Sequence, residues 1–344
     1  MFRNPDAIQA YFDSLVESEL TPCISAAIAY KGETAAAFTA CRKNDPIYKN
    51  FTADTRLNIG SVTKIITGTF IAKLMETGRI SVHDNVKKHL PEYPFEDNTV
   101  LQLLCHSTGA DSFCCNTPRP TYTDAKETFI ADILASIQPQ HAYAPGTESR
   151  YFSYGYSILM EIIERISGKD FETFARENLF DPLGMSNSTF DTHLISKETA
   201  LMPYSRDTDT YESSWDMRPT GDSGLFTTVS DLLKFAGAMQ DAYHGRQSPV
   251  LTPWQAQYLF RECTEDKFHR TAAMWRKGTV DHYNFFSDFC SPEACGHTGY
   301  SGCMLCIDPT YEISIVILTN SCYLHLDWNN YRIISNKLMG ALTL

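Results

Sequence analysis

The stretch Asn58-Ile59-Gly60-Ser61-Val62-Thr63-Lys64 marks the point where the sequence changes to a helical period. After it, apolar residues recur every three or four positions until Gly78, which is a typical helix stop. These residues are Val62, Ile65, Ile66, Phe70, Leu74 and Met75. The spacing predicts a helix that begins close to Ser61. Ser61 and Lys64 would then lie on one face of it, with Cβ atoms about 5–6 Å apart.

A serine and a lysine placed in this way can form a nucleophile. In the first turn, the Ser61 hydroxyl lies near the positive end of the helix dipole, which favours an alkoxide. A buried lysine gives up its proton more readily than an exposed one, so Lys64 could activate Ser61. The alternative is an N-cap serine followed by a solvated lysine. Against that alternative, Gly60 permits a close backbone approach, and an apolar helix is a costly place for an idle lysine.

Tyr151-Phe152-Ser153 follows Pro145-Gly146 and precedes a predicted helix. A tyrosine held near a protonated lysine is drawn toward phenolate and can act as a general base. Taken alone, Tyr151 is better explained as an aromatic residue packed at a loop–helix junction.

A third pattern is Gly296-His297-Thr298-Gly299-Tyr300-Ser301-Gly302, which is followed by an alternating apolar strand. Its glycines allow a substrate backbone to lie along the strand. The N–H groups of Tyr300 and Ser61 could together form an oxyanion hole. The alternative for His297 is a strand-end histidine paired with a carboxylate.

The order of the predicted elements indicates how the chain is organised. Helices are predicted at 5–18, 99–105, 125–137, 154–167, 170–179, 229–242 and 327–342, and strands at 22–30, 34–40, 271–285, 297–307 and 311–320. Strands at both ends can join in one antiparallel sheet if the helical middle is an insertion, with the terminal helices covering a face. We therefore expect an α/β sheet lobe from residues 1–57 and 262–344, and a helix-rich lobe from 58–261. The cleft between the two lobes would hold the site.

Composition excludes several classes of function. The 344 residues include 29 Lys plus Arg and 41 Asp plus Glu, a net charge of −12. Such an acidic chain is a poor partner for nucleic acid or an anionic membrane. No signal peptide or transmembrane segment is visible, which predicts a cytoplasmic location. The sequence implies no cofactor.

The 11 cysteines are predicted to be free thiols. A zinc site built from Cys290, Cys295, Cys303 and Cys306, with His297, is the alternative. It is disfavoured because Cys303 and Cys306 would point to opposite faces of a strand.

Taken together, the three patterns resemble the serine β-lactamase and penicillin-binding protein superfamily. The chain looks most like the class C β-lactamase-related branch, which also holds carboxylesterases, D-amino-acid peptidases and amidases. The resemblance covers roughly residues 5–340 and extends to several other segments. These are Gly78–Asp84, Leu90–Tyr93, Leu103–Gly109, Gly155–Leu159, Pro182–Met185 and Gly221–Thr228. It implies a β-lactamase/transpeptidase-like fold, with an antiparallel five-stranded-type sheet flanked by helices and an inserted, mostly helical lobe.

The resemblance also implies roles for individual residues. Ser61 would be acylated, Lys64 would activate it, and Tyr151 would act as base and then as acid toward the leaving group. The Tyr300 and Ser61 amides would hold the oxyanion. Ser153, His297, Thr298 and Gly299 would bind substrate.

Two of these residues depart from the family pattern. Ser153 replaces the usual asparagine, and His297 replaces the lysine that grips a substrate carboxylate. Both changes argue against efficient β-lactam hydrolysis.

The expected function is that of a serine hydrolase acting through an acyl-enzyme on a small-molecule or short-peptide ester or amide. A carboxylesterase and a D-amino-acid peptidase or amidase both fit the pattern. The alternative is a penicillin-binding or scaffold protein that acylates slowly or not at all. The oligomeric state is left open.

Overall fold

Strands from the two ends of the chain form one antiparallel sheet. The computed structural model describes residues 2–110, 120–138, 140–205, 210–211, 215–279 and 283–343. Within these ranges the sheet has six strands: β1 (Cys23–Tyr30), β2 (Glu33–Cys41), β8 (Trp275–Arg276), β9 (Cys295–Gly299), β10 (Cys303–Asp308) and β11 (Ile313–Leu318). Their order is β2-β1-β11-β10-β9-β8. The predicted antiparallel sheet flanked by helices is confirmed, and the short β8 adds a sixth strand at its edge.

The terminal helices α1 (Pro5–Glu17) and α11 (Asn329–Ala341) cover one face of this sheet, as predicted. Side chains alternate between the two faces of a strand, so every second residue of β1, β10 and β11 meets these helices. The outer cluster formed in this way includes Phe12, Leu15, Ile28, Met304, Cys306, Ile315, Ile334 and Leu338. Burial of this apolar surface stabilises the packing of both chain ends on the sheet.

The opposite face of the sheet packs against the helical part of the chain. Its residues include Ala27, Leu305 and Val316, which belong to the main core cluster. Helix α2 (Thr63–Glu76) is buried over most of its length, including Lys64. A helix that is buried on nearly all sides lies at the centre of a domain rather than at its surface. Lys64 is therefore held in the interior, next to the sheet.

The other helices are α3 (Val100–Leu104), α4 (Lys126–Ser136), α5 (Gly155–Ser167), α6 (Phe171–Ala175), α7 (Asp181–Leu183), α8 (Val229–Tyr243), α9 (Pro253–Phe260) and α10 (Tyr323–Leu326). Of these, α5 and α9 pack against α2, and α10 packs against α11. Short strands complete the region: β3 (Arg56–Asn58), β4 (Ala200–Leu201), β5 (Tyr204–Ser205), β6 (Thr210–Tyr211) and β7 (Phe226–Thr227). No helix in the described ranges combines the length and the apolar character needed to cross a membrane.

Several elements differ from the sequence prediction, among them the following three. The predicted strand 297–307 is two strands, because a turn over residues 299–302 with Gly302 at φ 84° separates β9 from β10. Of the predicted strand 271–285, only the two-residue β8 is found, and residues 280–282 lie outside the described ranges. Helix α9 was not predicted, although Thr252 and Gln255 form a capping box at its start. The division into two lobes at 57/58 and 261/262 stays a prediction.

The cysteines within the described ranges are free thiols. Cys303 packs in the main core and Cys306 in the outer cluster, so the two lie on opposite faces of β10. In the same ranges, no three His, Cys, Asp or Glu residues are grouped so that they could hold a metal ion.

Candidate active site

Ser61 lies in a short 3₁₀ turn, Gly60–Val62, immediately before α2. Two features hold this turn in place. Gly60 has φ +53°, a conformation that glycine adopts without strain. Its N–H donates to Asn58 Oδ1 at 3.0 Å, while Asn58 Nδ2 donates to the Ser223 carbonyl at 3.0 Å. The position of Ser61 is therefore fixed by the backbone conformation of Gly60 and by the two hydrogen bonds of the Asn58 side chain.

The Lys64 ammonium lies under Ser61 and is fully buried. It donates to Ser61 Oγ at 3.1 Å, to Ser153 Oγ at 3.1 Å and to the Asp222 carbonyl at 2.7 Å. These three acceptors match the three protons of an ammonium group. Ser61 and Lys64 are therefore side by side as predicted, although Ser61 lies in the 3₁₀ turn before α2 rather than in the helix.

Tyr151 approaches Ser61 from the other side, and its hydroxyl donates to Ser61 Oγ at 2.6 Å. His106 fixes the segment that carries it. The Phe152 N–H donates to His106 Nδ1 at 3.1 Å, and the Tyr151 and His106 rings have centroids 4.6 Å apart. Burial, together with the nearby positive charges of Arg270 and Lys64, holds the pKa of His106 well below its usual value. The ring is therefore neutral, and its Nδ1 also lies 3.2 Å from the Phe152 carbonyl oxygen.

Ser153 connects the lysine to a carboxylate that the sequence analysis did not single out. Its hydroxyl accepts from Lys64 and donates to Asp222 Oδ2 at 3.0 Å. Asp222 was quoted only as part of the family-like segment Gly221–Thr228. The signal available was an acidic residue in a run of small residues just before the apolar pair Leu225-Phe226. His106 and Asn58 were also quoted without a role.

The turn after β9 brings the backbone of Tyr300 close to that of Ser61. A Cβ added to Gly60 would lie 3.2 Å from the Tyr300 amide nitrogen. One added to Gly299 would lie 2.1 Å from the Ile59 carbonyl oxygen and 3.4 Å from the Ser61 nitrogen. Glycine at both positions thus lets the two amides approach each other. The Tyr300 side chain is 49% exposed.

His297 and Thr298 are separated by the pleat of β9. His297 is buried, with its ring centroid 6.1 Å from that of Tyr151, and its Nδ1 lies 2.6 Å from the Thr298 carbonyl oxygen. Burial first, and then the Lys64 charge, hold the pKa of His297 well below its usual value. Thr298 pairs with Met304, which packs in the outer cluster, so its side chain faces away from His297.

A cavity of about 270 Å³ opens above Ser61. It is lined by Asn58, Gly60, Ser61, Tyr151, Ser153, Pro203, Met217, Ser223, Tyr300 and Ser301. Four of the predicted site residues, Ser61, Tyr151, Ser153 and Tyr300, therefore share one cavity, with Lys64 beneath them. His297, Thr298 and Gly299 are not among its lining residues.

The chain is similar to known proteins over most of its length. The family model described as beta-lactamase matches residues 8–332. The N-acetylmuramyl-L-alanine amidase of Bacillus subtilis (strain 168) is 25% identical over 313 residues, which cover 77% of this chain and 68% of the amidase.

Two solved structures share the fold. EstCE1, a hydrolase with promiscuous acyltransferase activity, superposes with a TM-score of 0.78 at 16% identity, covering 97% of this chain and 98% of its own. The octameric penicillin-binding protein homologue from Pyrococcus abyssi has a TM-score of 0.76 at 22% identity, covering 96% of this chain and 76% of its own. With a family match over nearly its whole length, the chain belongs to the beta-lactamase family.

Proposed function

We propose that this protein is a serine hydrolase that cleaves an ester or amide through an acyl-enzyme on Ser61. The observation that carries the proposal is that Ser61 Oγ lies within hydrogen-bond distance of both Lys64 Nζ, at 3.1 Å, and Tyr151 Oη, at 2.6 Å. A nucleophile within reach of a base, with a cation beside both, is the arrangement that covalent catalysis requires.

Acylation begins from the phenolate form of Tyr151: the Ser61 hydroxyl proton passes to the phenolate oxygen, and Ser61 Oγ bonds to the carbonyl carbon. The carbonyl π electrons move to its oxygen, and the N–H groups of Ser61 and Tyr300 stabilise the resulting oxyanion. Collapse of this intermediate breaks the bond to the alcohol or amine. Tyr151 returns its proton to that leaving group.

Deacylation repeats these steps with water as the nucleophile. The water gives a proton to Tyr151, its oxygen bonds to the acyl carbon, and a second oxyanion forms in the same place. Collapse then breaks the bond to Ser61 Oγ, which recovers its proton from Tyr151. The free acid leaves and the enzyme returns to its starting form.

His297 bears on the class of substrate. Its pKa lies well below the usual value, so the imidazole is neutral near pH 7. A neutral imidazole provides no charge for a substrate carboxylate, unlike the lysine that the family has at this position. This favours uncharged acyl groups in esters or amides over β-lactams and D-peptides that carry a free carboxylate. The names of two similar proteins, the hydrolase and acyltransferase EstCE1 and the Bacillus subtilis amidase, are consistent with ester and amide substrates.

A substrate panel with matched variants tests the proposal. Short-chain p-nitrophenyl esters, aryl amides, a D-Ala-containing peptide and a chromogenic cephalosporin are assayed with the wild type, Ser61→Ala and Ser14→Ala. Ser14 is an exposed serine of α1 and serves as the control. We expect ester or amide turnover that Ser61→Ala abolishes and Ser14→Ala retains. Unchanged turnover in Ser61→Ala would contradict the proposal.

Intact-protein mass spectrometry distinguishes the hydrolase from the alternative, a penicillin-binding or scaffold protein that acylates slowly or not at all. A lasting adduct on Ser61 with no release of product would instead indicate a penicillin-binding protein. The absence of any adduct, with every compound in the panel, would indicate a scaffold protein.

A further inference from the structure

A buried carboxylate lies directly behind Lys64. Asp222 is 1% exposed, and its two oxygens accept three serine hydroxyls. Ser153 and Ser223 donate to Oδ2 at 3.0 and 2.9 Å, and Ser157 donates to Oδ1 at 3.0 Å. Three hydroxyl donors on two oxygens suit the ionised form of the carboxyl group, which accepts hydrogen bonds at both oxygens. A buried anion of this kind needs a nearby positive charge to offset the cost of leaving water.

The hydrogen bonds between this carboxylate and Lys64 run in one direction. The Lys64 ammonium donates to Ser153 Oγ at 3.1 Å, and Ser153 donates onward to Asp222 Oδ2 at 3.0 Å. The ammonium also donates to the Asp222 carbonyl at 2.7 Å. Asp222 therefore binds Lys64 in two ways: directly through its backbone carbonyl, and indirectly through the Ser153 hydroxyl. Ser153 is the residue at which the family usually has an asparagine.

As an ammonium with its three protons directed in this way, Lys64 would have no lone pair with which to take a proton from Ser61. Among the groups described around Ser61, Tyr151, whose oxygen lies 2.6 Å from Ser61 Oγ, would then accept that proton once it has lost its own. Tyr151 contacts Ser61, whereas Lys64 is bound to Asp222 through Ser153 and through the Asp222 carbonyl, so Asp222 acts more directly on the lysine than on the tyrosine.

We propose that Asp222 is a positioning residue that, through Ser153, keeps Lys64 as an ammonium and thereby assigns the role of base to Tyr151. This inference rests on the proposed function, because it concerns how Ser61 is activated.

The other titratable groups around Lys64 do not supply this negative charge. His106 and His297 approach from the Tyr151 side and from β9, and both are neutral because burial lowers their pKa values well below normal. Tyr156, whose ring lies 5.6 Å from Lys64 Nζ, has a raised pKa and keeps its proton. Arg270 is a further cation near both histidines. Of these groups, Asp222 is the anion.

The charge of Asp222 has a consequence for the pH dependence of catalysis. When the Lys64–Tyr151 pair loses one proton, the proton leaves either the ammonium or the phenol. A carboxylate beside Lys64 favours loss from the phenol, which produces the reactive form. The same negative charge also delays proton loss from the pair to higher pH. Removal of the Asp222 charge should therefore lower the pH at which the pair loses its proton. It should also lower the fraction of molecules that, above this pH, have lost the proton from Tyr151 rather than from Lys64.

The test measures the rate at which a fluorophosphonate labels Ser61, as a function of pH, by intact-protein mass spectrometry. In Asp222→Asn, we expect the midpoint of the rising limb to fall by about 1 pH unit, as for a charge removed at short range. The plateau rate should fall about tenfold, because a shift of one pH unit corresponds to a tenfold change in the population of the form with Tyr151 deprotonated. Ser157→Ala is the matched control, because it removes one hydrogen bond to Asp222 but keeps the charge, so its midpoint should not move.

An unchanged or raised midpoint in Asp222→Asn would overturn the inference, even if the rate falls. If that variant does not fold, the wild type still provides a test. Its ultraviolet difference spectrum against Tyr151→Phe should show tyrosinate above the midpoint, and the absence of this signal would overturn the inference. Failure of the wild type to be labelled at any pH would contradict the proposed function itself, which separates the two failures.

Discussion

Tyr151 Oη and Ser61 Oγ lie 2.6 Å apart, although 90 positions separate the two residues in the chain. The contact exists because two segments are fixed independently. Asn58 and Gly60 shape the turn that presents Ser61, and His106 binds the backbone of the segment that presents Tyr151. Each segment has its own support, so a variant can remove the reacting oxygen and leave the surrounding structure in place.

Tyr151→Phe is the variant that does this. The aromatic ring still packs against His106, while the oxygen next to Ser61 is lost. We expect kcat/KM for a p-nitrophenyl ester to fall about 10²–10⁴-fold, the usual contribution of a general base. The free energy of unfolding in urea should change by no more than about 1.5 kcal/mol, the net value of one hydrogen bond. Tyr311→Phe, at an exposed position, is the control. Retention of full activity in Tyr151→Phe would contradict the assignment.

Lys64 and Asp222 should show coupled effects on stability. In Lys64→Met, the buried Asp222 carboxylate loses the ammonium that offsets its charge, so we expect a loss of about 3–5 kcal/mol in the free energy of unfolding. Adding Asp222→Asn to this variant removes the stranded charge. The double variant should therefore recover about 1–3 kcal/mol relative to Lys64→Met alone. Urea unfolding of the wild type, both single variants and the double variant measures the coupling.

Strict additivity in that cycle would show that the two groups do not interact. Such a result would leave the role of Ser61 untouched, because stability is measured without substrate.

Gly299→Ala should impair catalysis through the backbone. The added Cβ would meet the Ile59 carbonyl oxygen at 2.1 Å, which forces β9 away from the turn that carries Ser61. Separation of the Ser61 and Tyr300 amides should lower kcat about 10²–10³-fold, as does loss of one oxyanion-hole donor. Gly237→Ala in α8 is the matched control, since nothing lies closer than 3.7 Å to its added Cβ. Equal activity of the two variants would contradict the proposed oxyanion hole.

The sequence predicted the parts of the site that local periodicity determines. Ser61 and Lys64 are adjacent because three positions separate them at the start of a helical segment, and the terminal helices cover the sheet because of their apolar stripes. Tyr151 and Tyr300 were assigned to the site through the order of the three motifs and the family resemblance. Local periodicity alone could not predict that these residues lie near Ser61.

The remaining features depend on long-range packing. The role of Asp222 arises because α5, α2 and the segment before β7 meet around one carboxylate, and no local pattern encodes that meeting. The separation of β9 from β10 was missed because the predicted strand 297–307 ran through Tyr300-Ser301-Gly302, where Gly302 at φ 84° turns the chain. The neutral state of His297 likewise follows from its burial and from Lys64, which approaches it from another element.

The two buried histidines should make stability sensitive to mildly acidic pH. His106 and His297 have pKa values well below normal in the folded protein, whereas in the unfolded chain they take up protons below about pH 6.5. The unfolded state then binds more protons, so the free energy of unfolding should fall as pH decreases from 6.5. Each histidine contributes up to about 1.4 kcal/mol per pH unit. His297→Gln should therefore flatten the slope between about pH 6.5 and pH 5 by up to this amount.

The exposed His83 provides the matched substitution, and His83→Gln should retain the wild-type slope. Urea unfolding at intervals of about half a pH unit resolves a difference of this size, because one proton changes the slope by about 1.4 kcal/mol per unit. A His297→Gln slope as steep as that of the wild type would mean that His297 is protonated in the folded protein. The imidazole could then hold a substrate carboxylate after all, and carboxylate-bearing peptides would return as candidate substrates.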